Sequence, residues 1–281
     1  MSGKAIKIVA AAVFFVAFLA VATPSQAQQP RPAILDQVSV TQNLNAQIPP
    51  DLVFHDENGK NIRLGDLFGQ KPIVLSLVYF NCPGLCMEVL DGELRTMRSV
   101  PLDLGKDYEA ITVSFEPTDT PAAAKAKRDV YLGQYGRSDA GESWHFLTGN
   151  QKSIDALTKA VGFHYVYDSK NKQYAHPAAI MVLTPQGRIS RYFYGTVYPA
   201  RDLQAGLIAA SQGKMGSVLD SAIVYCYRYD PFSGKYGMVV MNIIRAGAGL
   251  TLLALGSFMF VMFRRDLKVH VEPPVAGAKL R

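Results

Sequence analysis

The stretch "IVLSLVYFNCPGLCMEVL", residues 73–90, places two cysteines directly after an apolar run. The run 73–80 is apolar at nearly every position, as in a central strand that is covered on both faces. The proline after the first cysteine fixes a backbone dihedral that suits the first turn of a helix, so residues 83–99 are predicted to be helical. Cys82 then falls at or next to the N-cap, and Cys86 follows one turn later on the same face.

The position of the cysteine pair at the start of a helix favours chemical reactivity. The dipole and free N–H groups at a helix N-terminus favour a thiolate and lower its pKa, so Cys82 is predicted to be reactive. The sulfur of Cys86, four residues later, can approach that of Cys82 closely enough to form a disulfide or to share a metal ion. The pair alone therefore leaves three uses open, namely thiol redox chemistry, metal binding and a structural disulfide.

A third ligand candidate is His176 in "YAHPAAIMVL", residues 174–183. It stands just before a predicted buried strand, 178–183, and the loop that precedes a neighbouring strand commonly lies across from a reactive cysteine at a strand-to-helix turn. Pro177 is able to fix this loop through a cis peptide bond. Two thiolates and one imidazole suit copper, and soft sulfur favours Cu(I). The alternative is that His176 is a structural histidine.

The remaining pattern predicts an α/β sandwich around a mixed central sheet. Strands alternate with helices, and an amino-terminal hairpin turns at Asn58-Gly59. The other predicted elements are a strand at 109–115, a helix from Pro121 to about Gly133, a short strand at 144–149, a helix capped by Asn150 and ending near Val161, a hairpin strand at 188–195 and a helix from Ala200 to Gln212.

Both ends of the chain carry targeting signals. Lys4 and Lys7 precede the apolar stretch 8–22, and Ser25-Gln26-Ala27 offers a small-x-small cleavage site, so a signal peptide is predicted. The alternative is an uncleaved amino-terminal anchor. Near the other end, 246–263 is uncharged and reaches roughly 27 Å as a helix, the hydrocarbon thickness of a bilayer. A buried core helix is the alternative there.

Two arginines directly after Phe263 are expected to stay on the cytoplasmic side. The chain is therefore predicted to be a single-pass protein of the cell membrane, with its main domain in the periplasm or another extracytoplasmic space. The predicted segments are a signal peptide at 1–27, an extended arm at 28–47, the main domain at 48–212, a juxtamembrane segment at 213–237, a C-terminal transmembrane helix at 238–263 with its core at 246–263, and a cytoplasmic tail at 264–281.

The net charge of +6 comes from the chain ends. Residues 28–237 contain 21 basic and 21 acidic side chains, so nothing indicates a nucleic-acid partner. Three cysteines in an exported chain leave one, Cys226, beyond the pair. It lies among tyrosines in "YCYRYDPFSGKYG", residues 225–237, either as an accessory thiol or as a buried inert one, and the sequence assigns it no role.

Three motifs together resemble the Sco/SenC family: "FNCPGLC" at 80–86, "SFEPTDTP" at 114–121 and "HPAAIMVLTPQGRISRYFYG" at 176–195. The resemblance covers about residues 48–212. It implies a thioredoxin-like fold and a membrane-tethered copper chaperone or thiol-disulfide reductase that helps to assemble the binuclear copper site of cytochrome c oxidase. By that resemblance Cys82, Cys86 and His176 match the family's copper ligands, and the partner is the copper-bearing oxidase subunit or an assembly factor.

The chain departs from the family pattern beside the histidine. The family usually has Asp before it and a small or hydroxyl residue after it, whereas this chain has Ala175 and Pro177. A proline facing the cysteines favours redox chemistry. In the acidic loop Glu116 replaces the family's first Asp and Asp119 matches the second, with a solvated loop as the alternative for both.

The leading hypothesis is therefore a copper metallochaperone. The alternative is a thiol-disulfide oxidoreductase in which Cys82 attacks a partner disulfide and Cys86 resolves the mixed intermediate. A peroxidase is less favoured, because Tyr79 stands where a Thr or Ser usually assists peroxide. A purely structural disulfide does not explain why the pair sits at a helix N-terminus.

Overall fold

A computed structural model describes residues 33–82, 84–137, 140–215, 229–230, 235–236 and 238–269. The described residues belong to two units, which divide between Lys214 and Met215. The predicted signal peptide, Cys226 and the end of the predicted cytoplasmic tail lie outside the described residues.

Strands and helices alternate along the first unit. Its strands are β1 (Ser39–Val40), β2 (Val53–His55), β3 (Asn61–Arg63), β4 (Ile73–Val78), β5 (Glu109–Ser114), β6 (Trp144–Leu147), β7 (Phe163–His164), β8 (Val166–Asp168), β9 (Gln173–Ala175), β10 (Ala179–Leu183) and β11 (Ile189–Tyr194). Its α-helices are α1 (Leu85–Ser99), α2 (Pro121–Tyr135), α3 (Gln151–Ala160) and α4 (Ala200–Ser211), and short 3-10 helices lie at Ala33–Gln37 and Leu64–Leu67.

The central sheet has the order β11-β10-β4-β5-β6. β4 pairs in parallel with β5, and β5 with β6, whereas β10 is antiparallel to both β4 and β11. The sheet is therefore mixed, as the sequence predicts. All six residues of β4 are buried, as expected for a central strand with both faces covered.

Helix α1 is fixed by contacts on several sides. It contacts both α2 and α4, while α2 packs along β6 and α4 packs on β10 and β11. Gly92 in α1 permits a close approach to the segment after β11, because a Cβ there would lie 2.0 Å from the carbonyl oxygen of Thr196. One turn later, Thr96 Oγ1 donates to the carbonyl oxygen of Tyr198 at 2.8 Å. The helix that carries Cys86 is thus held against segment 195–199 as well as against the sheet.

The amino-terminal hairpin forms where the sequence predicts it. β2 pairs with β3 around Asn58-Gly59, and Gly59 has a φ of 80°, which favours glycine. The side chain of Asp56 accepts hydrogen bonds from the backbone N–H groups of Asn58 and Lys60 at 2.9 and 2.8 Å. These bonds satisfy the turn locally, which is why it is visible in the sequence.

Other short strand pairings were not predicted from the sequence. Within the stretch predicted as an extended arm, β1 pairs antiparallel with β7, and the Asn45 N–H donates to the carbonyl oxygen of Ile189 at 2.8 Å. A second hairpin, β8–β9, precedes His176. These strands are two or three residues long, so they are too short to show an alternating pattern.

Helix α1 begins later than predicted. Its first residue is Leu85 and its N-cap is Gly84, whose φ of −151° and ψ of −103° are not helical. As is usual for an N-cap residue, its carbonyl oxygen accepts the first helical hydrogen bonds, here from the N–H groups of Met87 and Glu88. The prediction that Cys82 lies at or next to the N-cap is therefore wrong by one residue, since Cys82 lies two residues before it.

The second unit contains one long helix, α5 (Met238–Val269). Its window Arg245–Met262 has a mean hydropathy of 1.5, and none of the window is buried. A core helix of a soluble protein is mostly buried, so the exposed apolar surface favours the predicted transmembrane helix over the alternative of a core helix. By length and composition, α5 is able to cross a membrane.

Candidate metal and redox site

Cys82, Cys86 and His176 meet at one edge of the central sheet. Cys82 follows β4, Cys86 lies in the first turn of α1, and His176 stands between β9 and β10. Because β10 runs antiparallel to β4 beside it, the segment that enters β10 meets the segment that leaves β4. One ligand atom from each residue lies within 4.8 Å of the other two, and all three residues are buried. The structure thus brings together the three residues that the sequence singles out.

The arrangement fits a single metal ion. Bonds of about 2.0–2.3 Å, the lengths of zinc bonds to nitrogen and sulfur, place three ligands roughly 3.5–4 Å apart. Cys86 Sγ lies 3.1 Å from His176 Nε2, and both cysteines are free thiols. Only small side-chain movements therefore separate this arrangement from a coordinated one. No other group of this kind occurs among the residues that the structure describes.

The imidazole of His176 is oriented by its own backbone. Its Nδ1 lies 3.0 Å from the carbonyl oxygen of Pro177. A carbonyl oxygen only accepts hydrogen bonds, so Nδ1 carries the proton and the Nε2 lone pair points toward the sulfurs. A carbonyl that fixes the other ring nitrogen is the usual outer partner of a metal-bound histidine. The peptide bond before Pro177 is trans, because the described residues contain no cis bond, so the suggested cis bond is wrong.

The sulfur of Cys82 is surrounded by hydrogen-bond donors. The backbone N–H groups of Gly84 and Cys86 lie 3.5 and 3.4 Å from it. A hydrogen bond from the Cys86 thiol contributes most to lowering the pKa of Cys82, these two N–H groups also lower it, and burial opposes the shift. Although Cys82 precedes the helix, the first turn of α1 therefore still stabilises its thiolate.

Cys86 has the opposite character. Burial raises the pKa of its thiol, and the neighbouring Cys82 raises it further. Its side chain is 1% exposed, compared with 9% for Cys82. The backbone N–H of Tyr79 donates to its sulfur at 3.3 Å. Cys82 is therefore the ionised, more accessible sulfur, and Cys86 is the protonated, buried one.

Asp119 holds the segment that leads into Cys82. Its carboxylate, 7% exposed, accepts hydrogen bonds from the Phe80 N–H at 2.7 Å, Asn81 Nδ2 at 3.0 Å and Ser114 Oγ at 2.6 Å. The alternative of a solvated residue is thus wrong for Asp119. Glu116 is more exposed and accepts from the backbone N–H and the hydroxyl of Thr118.

Aromatic rings enclose the imidazole. The ring centroids of Tyr79, Phe115 and Phe163 lie 6.1, 5.2 and 6.2 Å from that of His176. Tyr174 closes the group, 5.5 Å from the ring of Tyr79. Such an apolar shell limits solvent access and strengthens electrostatic interactions within the site. Sequence reasoning does not identify these rings as part of the site, although Tyr174 lies only two residues before the histidine.

The other described histidines lie away from this group, as expected for structural or solvated residues. His55 lies in β2, and His145 lies in β6, where burial lowers its pKa. His164 lies in β7 and hydrogen-bonds through Nε2 to Thr41 Oγ1 at 3.2 Å. His270, in the predicted tail, lies outside the described residues.

Comparisons with known proteins identify relatives for most of the chain. The SCO1/SenC family model matches residues 40–209. A solved structure of a proposed electron transfer protein from Aquifex aeolicus VF5 is 26% identical, with a TM-score of 0.55 over 61% of this chain and 96% of that one. A proposed electron transport protein from the same organism is also 26% identical, with a TM-score of 0.50 over 61% of this chain and 100% of that one. Copper-bound ScoI of Arabidopsis thaliana is 15% identical, with a TM-score of 0.49 over 59% of this chain and 99% of that one. The curated proteins contain no match.

These findings agree with the architecture. The mixed sheet, its flanking helices and the structural similarity to the Aquifex aeolicus protein confirm the predicted α/β class with a thioredoxin-like sandwich. The family match extends over well more than half of the chain and includes all three residues of the candidate site. The chain therefore belongs to the SCO1/SenC family.

Proposed function

We propose that this chain is a membrane-anchored copper chaperone that delivers copper to the binuclear copper site of cytochrome c oxidase. The observation that carries the proposal is the buried group of Cys82, Cys86 and His176, with Nε2 lying 3.1 Å from a sulfur. Two sulfurs and an imidazole suit copper, and the sulfurs favour Cu(I). Family membership supports oxidase assembly as the setting, with the copper-bearing subunit or an assembly factor as the acceptor.

Copper is the cargo, and each of the three residues contributes a different ligand to it. Cys82 offers a thiolate, because its neighbours lower its pKa. Cys86 must release a proton as copper binds, because burial raises its pKa, so loading liberates a proton. His176 supplies a neutral nitrogen already oriented by Pro177. Cys82 is the more exposed sulfur, so an incoming acceptor ligand is expected to replace it first.

The membrane topology is part of the proposal. Helix α5 would cross the bilayer once, with Arg264 and Arg265 on the cytoplasmic side and the domain 48–212 in the periplasm or another extracytoplasmic space. The support is the apolar window Arg245–Met262 together with the signal-like residues 1–27. Protease added to intact spheroplasts should then digest the domain and leave the tail intact, and protection of the domain would contradict this topology.

The copper proposal is tested by titrating the full chain in detergent with Cu(I), once reduced and once after oxidation of the pair. We expect one equivalent to bind to the reduced chain and none to bind tightly to the oxidised chain, because a disulfide leaves no thiolate. Competition with a chromogenic Cu(I) chelator measures both affinities. Equal affinity in the two redox states would exclude the cysteines as ligands and remove the proposal.

A second candidate function, thiol-disulfide oxidoreductase, is favoured by the difference between the two sulfurs. An ionised, more accessible Cys82 suits attack on a partner disulfide, and a buried Cys86 suits resolution. Attack joins the Cys82 sulfur to one partner sulfur and releases the other as a thiolate. The Cys86 sulfur then displaces the partner, so the pair loses two electrons and the partner disulfide gains them.

The same difference predicts selective alkylation. With one equivalent of iodoacetamide at pH 6, Cys82 is expected to react at least about tenfold faster than Cys86, because the thiolate is the nucleophile and only Cys82 has a lowered pKa. Peptide mass spectrometry after brief labelling measures the two rates. Equal labelling of both cysteines at pH 6 would contradict the assignment of Cys82 as the attacking sulfur.

A further inference from the structure

A buried acidic residue lies on the helix that carries Cys86. Glu93 in α1 is 0% exposed, and neither of its carboxyl oxygens has a hydrogen-bond partner among the described residues. Charged carboxylates are rarely buried without such partners, because the free energy lost on removing the charge from water is not recovered without hydrogen bonds or an ion pair. A neutral carboxylic acid costs much less. The geometry therefore requires Glu93 to be protonated when α1 is packed.

Among the residues that the structure describes, no cation forms an ion pair with Glu93. Four uncharged groups interact with Glu93: the hydroxyl of Ser76 on β4 and the phenols of Tyr108, Tyr131 and Tyr198. Burial raises the pKa of all three tyrosines, so they stay neutral across the physiological range. The charged side chains that act on these tyrosines are Asp91 and Arg95 on α1 itself and Arg137 after α2. Asp91 accepts a hydrogen bond from the Tyr131 hydroxyl at 2.8 Å.

We propose that Glu93 is a pH-sensitive switch on the buried face of α1. It is an uncharged acid while the helix is packed, and its ionisation at higher pH loosens the helix and with it the position of Cys86. The switch requires no copper, so its failure would leave the copper proposal untouched. Four independent features carry it, namely full burial, two carboxyl oxygens without partners, neutral neighbours and placement on the helix of the site.

The direction of the pH effect follows from the pKa of the folded state. Burial raises the pKa of Glu93 from 4.5 to about 8. The nearby hydroxyl of Ser76, whose hydrogen bond in the structure is to Thr112, opposes this shift only in part. The folded state therefore holds this proton more tightly than the unfolded state. The stabilisation is complete below about pH 4.5, decreases as the pH rises, and is lost once the pH passes about 8.

The switch also acts on the cysteine site through charge. Glu93 lies seven residues after Cys86, about 10 Å along the helix axis. At an effective dielectric constant of about 20, a negative charge at that distance disfavours a thiolate about tenfold. Ionised Glu93 therefore opposes formation of the Cys86 thiolate, while protonated Glu93 does not. Near neutral pH the protonated form predominates, which favours a site ready to bind metal.

The test compares Glu93→Gln with the wild-type chain by denaturant unfolding from pH 5 to pH 9. In the wild-type chain, we expect the titration of Glu93 to raise the equilibrium constant for unfolding by up to about tenfold per pH unit between pH 5 and pH 8. In Glu93→Gln this part of the pH dependence should vanish, and the difference between the two proteins cancels all other titrating groups. Glu88→Gln, which removes an exposed charge from the same helix, should retain the wild-type slope.

A measurement on the wild-type protein covers the case in which Glu93→Gln does not fold. Infrared difference spectra should show the carbonyl band of a buried protonated acid at pH 6, and the band should disappear as the pH rises past about 8. Hydrogen exchange in α1 should accelerate over the same range. Absence of the acid band at pH 6, or equal pH slopes in Glu93→Gln and wild type, would overturn the proposal.

Discussion

Cys82→Ser is expected to lower the Cu(I) affinity of the reduced chain by more than about 100-fold. Loss of an outer partner of a metal ligand already costs about 10–100-fold, and this change removes a ligand itself. Serine keeps the size of the side chain but replaces a soft thiolate by a hydroxyl that does not ionise near neutral pH. Competition with a chromogenic Cu(I) chelator, in detergent and without oxygen, measures the loss.

The chain supplies a matched control for this substitution. Cys226→Ser makes the same chemical change at the third cysteine and should leave both affinity and stoichiometry unchanged. His176→Ala separates the two functions, since it should weaken copper binding while the two cysteines still form a disulfide. Tight stoichiometric binding in Cys82→Ser, or an equal loss in Cys226→Ser, would show that the copper site lies elsewhere.

The main elements of the fold were predictable because they carry strong local patterns. β4 is apolar except for Ser76, and β10 is a continuous apolar run. The side chain of Asn150 accepts a hydrogen bond from the Ser153 N–H, so α3 starts where it was predicted to start. Thr120 caps α2 in the same way. The sequence places the end of α2 near Gly133, whereas the helix continues to Tyr135 and stops at Gly136, whose φ of 72° terminates it.

The site was predictable as a set of residues but not as an environment. Cys82, Cys86 and His176 follow from residue chemistry and from the neighbouring positions of β4 and β10. The difference in pKa between the two sulfurs depends on their burial and on the backbone N–H groups of Gly84 and Cys86, which only the folded structure places beside Cys82. One ring of the aromatic shell, Tyr174, lies in the β8–β9 hairpin, whose strands of three residues each are too short to show an alternating pattern.

The burial of two acidic residues, Glu93 and Asp119, is the largest difference between the sequence-based predictions and the structure. Glu93 lies one turn after Leu90 and one turn before Met97, on the apolar face of α1, where an acidic residue is normally expected to be exposed. Only the packing of β4 and α2 against α1 shows that it is enclosed. Asp119 lies in a loop rich in polar residues and is buried because its partners come from two separate segments.

Asp119→Ala is expected to destabilise the folded chain by about 3–5 kcal/mol. Hydrogen bonds to a charged group contribute about 1.5–3 kcal/mol each, and the truncation leaves the buried N–H of Phe80 and the hydroxyl of Ser114 without their acceptor. The segment before Cys82 would then lose its anchor, so copper affinity should decrease by about 10–100-fold. Denaturant unfolding and Cu(I) competition measure the two effects separately.

Glu116→Ala is the matched control, because it removes a carboxylate from the same loop. The Glu116 carboxylate is less buried, and its hydrogen bonds go to Thr118 in the same loop and to the side chain of Tyr174, not to the segment before Cys82. Its loss should therefore cost less stability, and change copper affinity less, than the loss of Asp119. A large effect of Asp119→Ala with a small effect of Glu116→Ala would assign the anchoring to one buried carboxylate. Similar effects in both variants would instead mean that the charge of the loop, and not the bonds to Phe80 and Ser114, maintains the site.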